Sequence, residues 1–339
     1  MHMADALLSP AVGGILWTAA LSAGGYSVRK IRNNSEENKN ILPLTGIAAA
    51  FIFAAQMINF TIPGTGSSGH LGGGLFLAIL LGPHAAILGM TVILLIQSLF
   101  FADGGLLALG ANIINMGFLT CFIAYPLIYK PLTARNKSQK AIFGASMAAA
   151  VIGLQMGSFG VVVETFLSGR TELPFTAFIL LMQPIHLAIG LVEGFLTGAL
   201  VLYIYRNAPE ILNQNQQRES IGIRKVLPFL AILAILCGGV FSWFASVYPD
   251  GLEWSIEKTA GTAELEIPPG GVHEKLQSVQ DFFAFLPDYG FRNSSESERT
   301  VQTETSISGI TGSIFTLLVI SAVIMLTAGF KYRKRNKPE

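Results

Sequence analysis

Residues 59–84 read NFTIPGTGSSGHLGGGLFLAILLGPH: a glycine-rich loop, an apolar run, then Gly-Pro. Pro83 ends a helix that begins after His70, so the apolar segment is 71–82. At ~1.5 Å per residue it covers ~18 Å, well short of a ~30 Å hydrocarbon core. Its neighbours 42–58 and 84–101 are long enough to span. The loop before it must therefore complete the crossing. Irregular backbone at membrane depth is tolerated only where protein buries it or a wet cavity borders it. The stretch predicts a re-entrant third segment with a pocket at the loop.

Working outward, apolar segments recur at 11–28, 42–58, 71–82, 84–101, 105–128, 141–166, 174–205, 226–245 and 309–330. Of the residues, 51% are hydrophobic and 13% charged, and mean hydropathy is +0.55. These numbers predict an all-α polytopic membrane helix bundle of about nine spans in a cell (inner or plasma) membrane, surrounded by lipid. The positive charges fix its orientation. With the N-terminus outside, 17 of the 22 Lys and Arg fall on cytoplasmic segments: Arg29, Lys30, Arg32 and Lys39; Lys130, Arg135, Lys137 and Lys140; Arg206, Arg218, Arg224 and Lys225; Lys331, Arg333, Lys334, Arg335 and Lys337. The C-terminus is then inside. Segment 246–308, with eleven Asp and Glu against four Lys and Arg, is outside. Its Pro-Asp and Gly punctuation around FFAFLPDYGF (282–291) predicts a loop that docks rather than a solvated connector. Cys121 and Cys237 are isolated in apolar stretches, so neither a disulfide framework nor a thiolate metal site is indicated.

The chain begins MHMADALLSP. A signal peptide carries its positive charge before the apolar stretch, whereas here RKIR (29–32) follows it, so the first span is expected to be retained. Ser9 and Pro10 suit the N-cap and first position of a helix, leaving Met1 to Ala6 as a short free segment outside it. Histidine is too bulky for methionine removal, so Met1 is expected to remain with a free amine. A histidine at position 2 then offers one ion the Met1 amine, the deprotonated His2 amide and the His2 ring Nδ1, closing a five- and a six-membered chelate. One corner of a square plane is left empty. Strong-field nitrogen donors in a plane favour Ni(II) or Cu(II).

The fourth donor is sought among His70, His84, His186 and His273. His84 follows Pro83 at the inner end of the short helix, on the wrong side. His273, in the outer loop, stays a candidate. His186 shares a helix face with Glu193, seven residues on, and an intramembrane ionisable pair is a functional or a structural feature. His70 ends the loop at the mouth of the predicted pocket, and it is chosen.

GTGSSG (64–69) matches a dinucleotide fingerprint, but no strand precedes it and no acidic residue appears before Asp103. As a phosphate-binding loop it has His70 where lysine belongs and Leu71 where Ser or Thr would hold magnesium. No nucleotide site and no nucleic-acid role is expected, and no HExxH motif points to an enzyme. A proton-coupled secondary carrier would need an ionisable relay, for which His186, Glu193 and Glu164 are the material.

Four stretches, MHMADALLSP, QMINFTIPGTGSSGHLGGG, QSLFFADGGLLALGANIINMG and HLAIGLVEGFLTG, resemble the CbiM/NikM substrate-binding component of nickel and cobalt energy-coupling-factor transporters. YPDGLEWSIEKTAG and LPDYGF resemble the small NikN/CbiN or PDGLE-type component, fused behind the first. The resemblance implies a metal-binding component at 1–205, a cytoplasmic linker at 206–225, and the small component at 226–339. It implies Met1, His2 and His70 as metal ligands, and a transmembrane coupling protein with cytoplasmic ATPases as partners. It also suggests that Asn112 and Asn115 orient the N-terminal peptide or the His70 ring, with Gln56, Asn59, Gln97 and Asp103 as further supports. The fusion leans towards nickel as the substrate, with cobalt as the alternative.

Overall fold

The computed structural model describes residues 1–33, 41–212, 220–263, 265, 270–292 and 301–335; Lys39, Arg218, Arg299 and Lys337 lie outside them, with parts of the 206–225 and 246–308 segments. Helices α1 (Pro10–Asn33) and α2 (Ile41–Gln56) precede a hairpin of β1 (Phe60–Ile62) and β2 (Ser67–Gly69). Then come α3 (Gly74–Leu81), α4 (Pro83–Phe101), α5 (Leu109–Ala134), α6 (Gln139–Ser168), α7 (Phe175–Asn207) and α8 (Ser220–Gly239). Two shorter helices, α9 (Gly251–Ala260) and α10 (Gly271–Phe283), lead to α11 (Val301–Arg335). Among the described residues, 7 helices are long and apolar enough to cross a membrane, and α2 is a shorter apolar one. The chain is an all-α, multi-pass membrane bundle, and the hairpin is its one sheet among those residues.

The short helix explains how the bundle tolerates it. All eight residues of α3 are buried, so protein rather than lipid surrounds it. It is shorter than the expected 71–82 because glycines in left-handed conformations, Gly73 at φ 75° and Gly82 at φ 87°, break the helix at both ends. A Cβ at Gly73 would also lie 2.4 Å from Ile52 Cγ2, so the turn needs glycine twice over. The Gly72 and Gly73 amides, at the N-terminal end of α3, donate to Glu193 of α7 at 2.8 and 3.0 Å. The carboxylate thus sits where the helix dipole favours negative charge. The expected pairing of His186 with Glu193 does not form. Seven residues along a helix separate the two by ~10.5 Å, and each finds a nearer partner. His186 Nδ1 donates to Met182 O at 2.8 Å, in the preceding turn.

The N-terminal segment is not free, as its sequence had implied. Met3 and Leu8 are fully enclosed and Met1 nearly so, because an apolar M-x-M-x-x-A-L-L segment has a core to enter. Gly105 N donates to Met3 O at 2.9 Å, and Ala108 N to Asp5 Oδ1 at 2.9 Å. α1 does begin at Pro10, with Val12 N donating to Ser9 Oγ at 3.3 Å.

The 246–308 segment docks across this end of the bundle. Ser246 N donates to Asn59 O at 2.7 Å and Ser68 N to Pro249 O at 2.8 Å, so the chain before α9 pairs with the hairpin. Gln280 of α10 donates to Ser98 O and Gly104 O at 2.8 and 2.7 Å. Phe285 packs on Phe100 and Phe101 at the end of α4.

Candidate metal centre

Three chain segments meet at Met1. His70 follows the hairpin, the N-terminal peptide precedes α1, and Asp250 arrives from the 246–308 segment. The Met1 nitrogen lies 3.1 Å from His70 Nε2 and 2.5 Å from Asp250 Oδ2. The His2 and His70 rings stack, with centroids 5.0 Å apart and planes 15° from parallel. Met1, His2 and His70 therefore come together.

The ring orientations are set by neighbours. His70 Nδ1 donates to Leu71 O at 3.0 Å, which leaves Nε2 as the lone-pair nitrogen facing the Met1 amine. For His2 the orientation follows from a chain of amides anchored on a backbone carbonyl. Gly72 O can only accept, so Gln56 Nε2 donates to it at 2.7 Å. Gln56 Oε1 then accepts from Gln97 Nε2 at 2.9 Å, and Gln97 Oε1 faces His2 Nε2 at 3.1 Å. The proton of neutral His2 is thereby placed on Nε2, and Nδ1 keeps its lone pair. That is the nitrogen the amine–amide–imidazole chelate requires. Asp103 Oδ1 faces it at 3.1 Å, hydrogen-bonding distance, so the carboxylate also favours a proton on Nδ1, which a metal ion must displace.

Burial, followed by the positive Met1 terminus and His2, pushes the His70 imidazole down to about 3. Burial also lowers His2, against the pull of Asp103. Burial would raise Asp250, but the Met1 ammonium and His70 outweigh it and hold its carboxyl below the usual carboxylate range. The His70 imidazole is thus neutral, the form that binds metal, and burial shifts His2 in the same direction.

Asn112 grips the N-terminal peptide: its Oδ1 accepts from Met3 N at 2.8 Å and its Nδ2 donates to Met3 O at 3.3 Å. Asn115 Nδ2 donates to Glu164 Oε2 at 2.7 Å and also lies 4.0 Å from Met3 Sδ, in the N-terminal peptide. Asn59 meets the 246–308 segment through its carbonyl. A cavity of about 510 Å³, the pocket expected at the loop, opens above His2 and His70 between Asp103, Asp250, Glu253 and Tyr289. His273 is not part of the centre; it is buried with Nε2 2.8 Å from Leu8 O, under the N-terminal segment. His186 lines a cavity of about 10 Å³ together with Met1, His70 and Asp250, and its Nε2 has no hydrogen-bond partner among the described residues. Among the described residues, no three His, Cys, Asp or Glu side chains cluster as a metal cage.

Sequence reasoning missed Asp250. The signal was present in YPDGLE, where an aspartate before glycine at the head of an amphipathic stretch marks a helix N-cap.

A family model described as the cobalt uptake substrate-specific transmembrane region, CbiM, matches residues 2–211, and one for the PDGLE domain matches 224–329. The chain is similar to a putative fused nickel transport protein NikMN of Archaeoglobus fulgidus, 32% identical over 324 residues, which cover 94% of this chain and 96% of that one. It is also similar to a cobalt transport protein CbiM of Sorangium cellulosum, 30% identical over 226 residues, which cover 64% of this chain and 96% of that one. A crystal structure of a truncated transition metal transporter matches with a TM-score of 0.53 at 30% identity, covering 61% of this chain and 99% of that one.

Proposed function

The chain belongs to the CbiM family of metal-uptake membrane proteins, here with a PDGLE domain behind, and from that premise we propose that it captures Ni(II) for an ATP-driven importer. The Met1 amine, the His2 amide and Nδ1, and His70 Nε2 are the four donors. The observation that carries this reading is the 3.1 Å between the Met1 nitrogen and His70 Nε2. Two nitrogens bound ~2.0 Å from one ion at right angles stand ~2.8 Å apart, so a small contraction seats the metal. Residues 1–205 form the binding component, 226–339 the small component, and 206–225 the linker. The N-terminus faces outside, the C-terminus inside. A transmembrane coupling protein and cytoplasmic ATPases supply the energy.

Cobalt is the alternative substrate, supported by the Sorangium cellulosum relative's description. A proton-coupled carrier is the weaker reading, because Glu193 is engaged by Gly72 and Gly73 and Glu164 by Asn115, away from His186. The test is purified protein whose intact mass establishes a free Met1 amine, titrated with each metal and read by visible absorption. A planar Ni(II) band is expected, and an octahedral spectrum would refute the four-nitrogen site. In cells, uptake that survives inactivation of the partner ATPases but stops with a protonophore would favour the carrier.

A further inference from the structure

Asp250 divides its carboxylate between two tasks. Oδ1 accepts from Leu252 N at 2.8 Å and Glu253 N at 2.9 Å, capping α9, while Glu253 Oε2 accepts from Asp250 N at 3.0 Å. The cap fixes the carboxylate's rotation, so Oδ2 points away from the helix and meets the Met1 nitrogen. The residues on either side hold this pose. Pro249 O accepts from Ser68 N, tying the cap to the strand that leads to His70. Gly251 lies so close to α7 that a Cβ there would be 2.5 Å from Ile185 Cγ2. Pro-Asp-Gly therefore brings one negative oxygen to one place in the binding component, with the Asp250 side chain 15% exposed.

We propose that Asp250 is a positioning residue for metal loading, which holds the Met1 amine beside His70 so that two of the four corners are assembled before the ion arrives. This rests on the reading of Met1 and His70 as metal donors. On loading, the ion replaces one proton on the Met1 nitrogen and one on the His2 amide, and both leave to solvent. A divalent ion with one deprotonated amide carries the same net charge, +1, as the ammonium it supersedes. The carboxylate therefore neutralises the site equally before and after, with Oδ2 4.0 Å from His70 Nε2. Its contribution falls on the rate of assembly rather than on the hold of the bound ion. The small component thus reaches the Met1 amine through the Asp250 side chain.

The test uses the full chain with Asp250→Asn and Asp250→Ser, both of which keep an N-cap acceptor and remove the charge, compared with His70→Ala. Stopped-flow Ni(II) binding is expected to slow at least roughly tenfold in both Asp250 variants, the scale on which lost positioning acts, with the dissociation rate little changed. Acylation of the Met1 amine by a water-soluble ester, slow in the unaltered protein, is expected to approach the rate at exposed Lys275 in the Asn variant. If His70→Ala binds Ni(II) normally, the donor assignment itself is wrong. If His70→Ala fails while both Asp250 variants load at the unaltered rate, the positioning role is overturned and the donor set stands. Faster dissociation from the Asp250 variants would overturn it too, making Asp250 a ligand. A Met1 amine in the unaltered protein as reactive as Lys275 overturns it even where the variants do not fold.

Discussion

Gln97 Oε1 lies 3.1 Å from His2 Nε2, and the two are held in that relation by Gln56 and the Gly72 carbonyl behind them. Gln97 is fully buried, so it cannot exchange this partner for water. Replacing it with leucine frees the His2 proton to move to Nδ1, the chelating nitrogen. Gln97→Leu is expected to weaken Ni(II) binding roughly 10- to 100-fold, the usual cost of losing a hydrogen bond behind a metal ligand. Gln97→Glu still accepts from Nε2–H but loses the donor to Gln56 Oε1 and buries a charge, so it is expected to weaken binding less than the leucine variant does. Isothermal calorimetry on both decides it, and equal losses would show that only the side chain's shape matters.

Among the described residues, the His70 ring hydrogen-bonds to the Met1 amine and to its own neighbour Leu71. Removing the ring should cost the fold little and the site a full corner. His70→Ala is expected to lower Ni(II) affinity at least roughly 100-fold, with an unchanged melting temperature in detergent. Unchanged affinity by calorimetry would take His70 out of the centre.

The pH dependence follows from which groups already lack a proton. Burial holds His70 down to about 3, so its ring adds no proton competition between mildly acid and mildly alkaline pH, and burial lowers His2 in the same direction against the pull of Asp103. The Met1 ammonium and the His2 amide must each give one up, so binding is expected to release about two protons and to weaken steeply as pH falls. Calorimetry in buffers of different ionisation enthalpy counts them. A flat affinity across that range would mean that the amide is not a ligand.

How much was legible in the sequence differs by residue. The spans, the short third segment and the pocket at its loop came from lengths and glycines, which are local. His2 came from chelate chemistry, which depends on position in the chain and needs no fold, and His70 from its place at the mouth of the pocket expected at the loop. Glu193 was misread as a partner of His186 because helical spacing places two side chains on one face without showing what packs there. Its true partners, the Gly72 and Gly73 amides, carry no side chain to announce them. Asp250 was invisible as part of the centre because 249 positions separate it from Met1. The docking of the 246–308 segment brings the cap of α9 to the amine.

Glu193 should therefore act on the fold rather than on transport chemistry. Glu193→Leu leaves the Gly72 and Gly73 amides without an acceptor, at ~1–3 kcal/mol for each buried group. The variant is expected to melt well below the unaltered protein or to fail to accumulate. Glu193→Gln keeps one acceptor oxygen and is expected to lie between. A leucine variant as stable as the original would return Glu193 to the list of ionisable relay groups.

The last expectation concerns one added residue. Asn112 fixes both the amide and the carbonyl of Met3, and Gly105 N donates to the same carbonyl, so the chain is pinned from that point on. An alanine inserted between Met1 and His2 cannot be absorbed downstream and must displace the terminal amine from His70 and Asp250. It also moves the imidazole to the third position, where amine, two amides and ring nitrogen fill the plane from the peptide alone. Metal affinity of the isolated N-terminal peptide should then rise. In the whole protein the ion would no longer tie the N-terminal segment to the loop that leads into α3, and His70 would be left out. Retained binding with lost uptake is the expected result, whereas acetylating the Met1 amine should weaken binding itself by removing a donor. Uptake and retention of Ni(II) measured side by side decide it: an insertion variant that transports normally would show that closure of the site does not depend on His70 sharing the ion with the terminus.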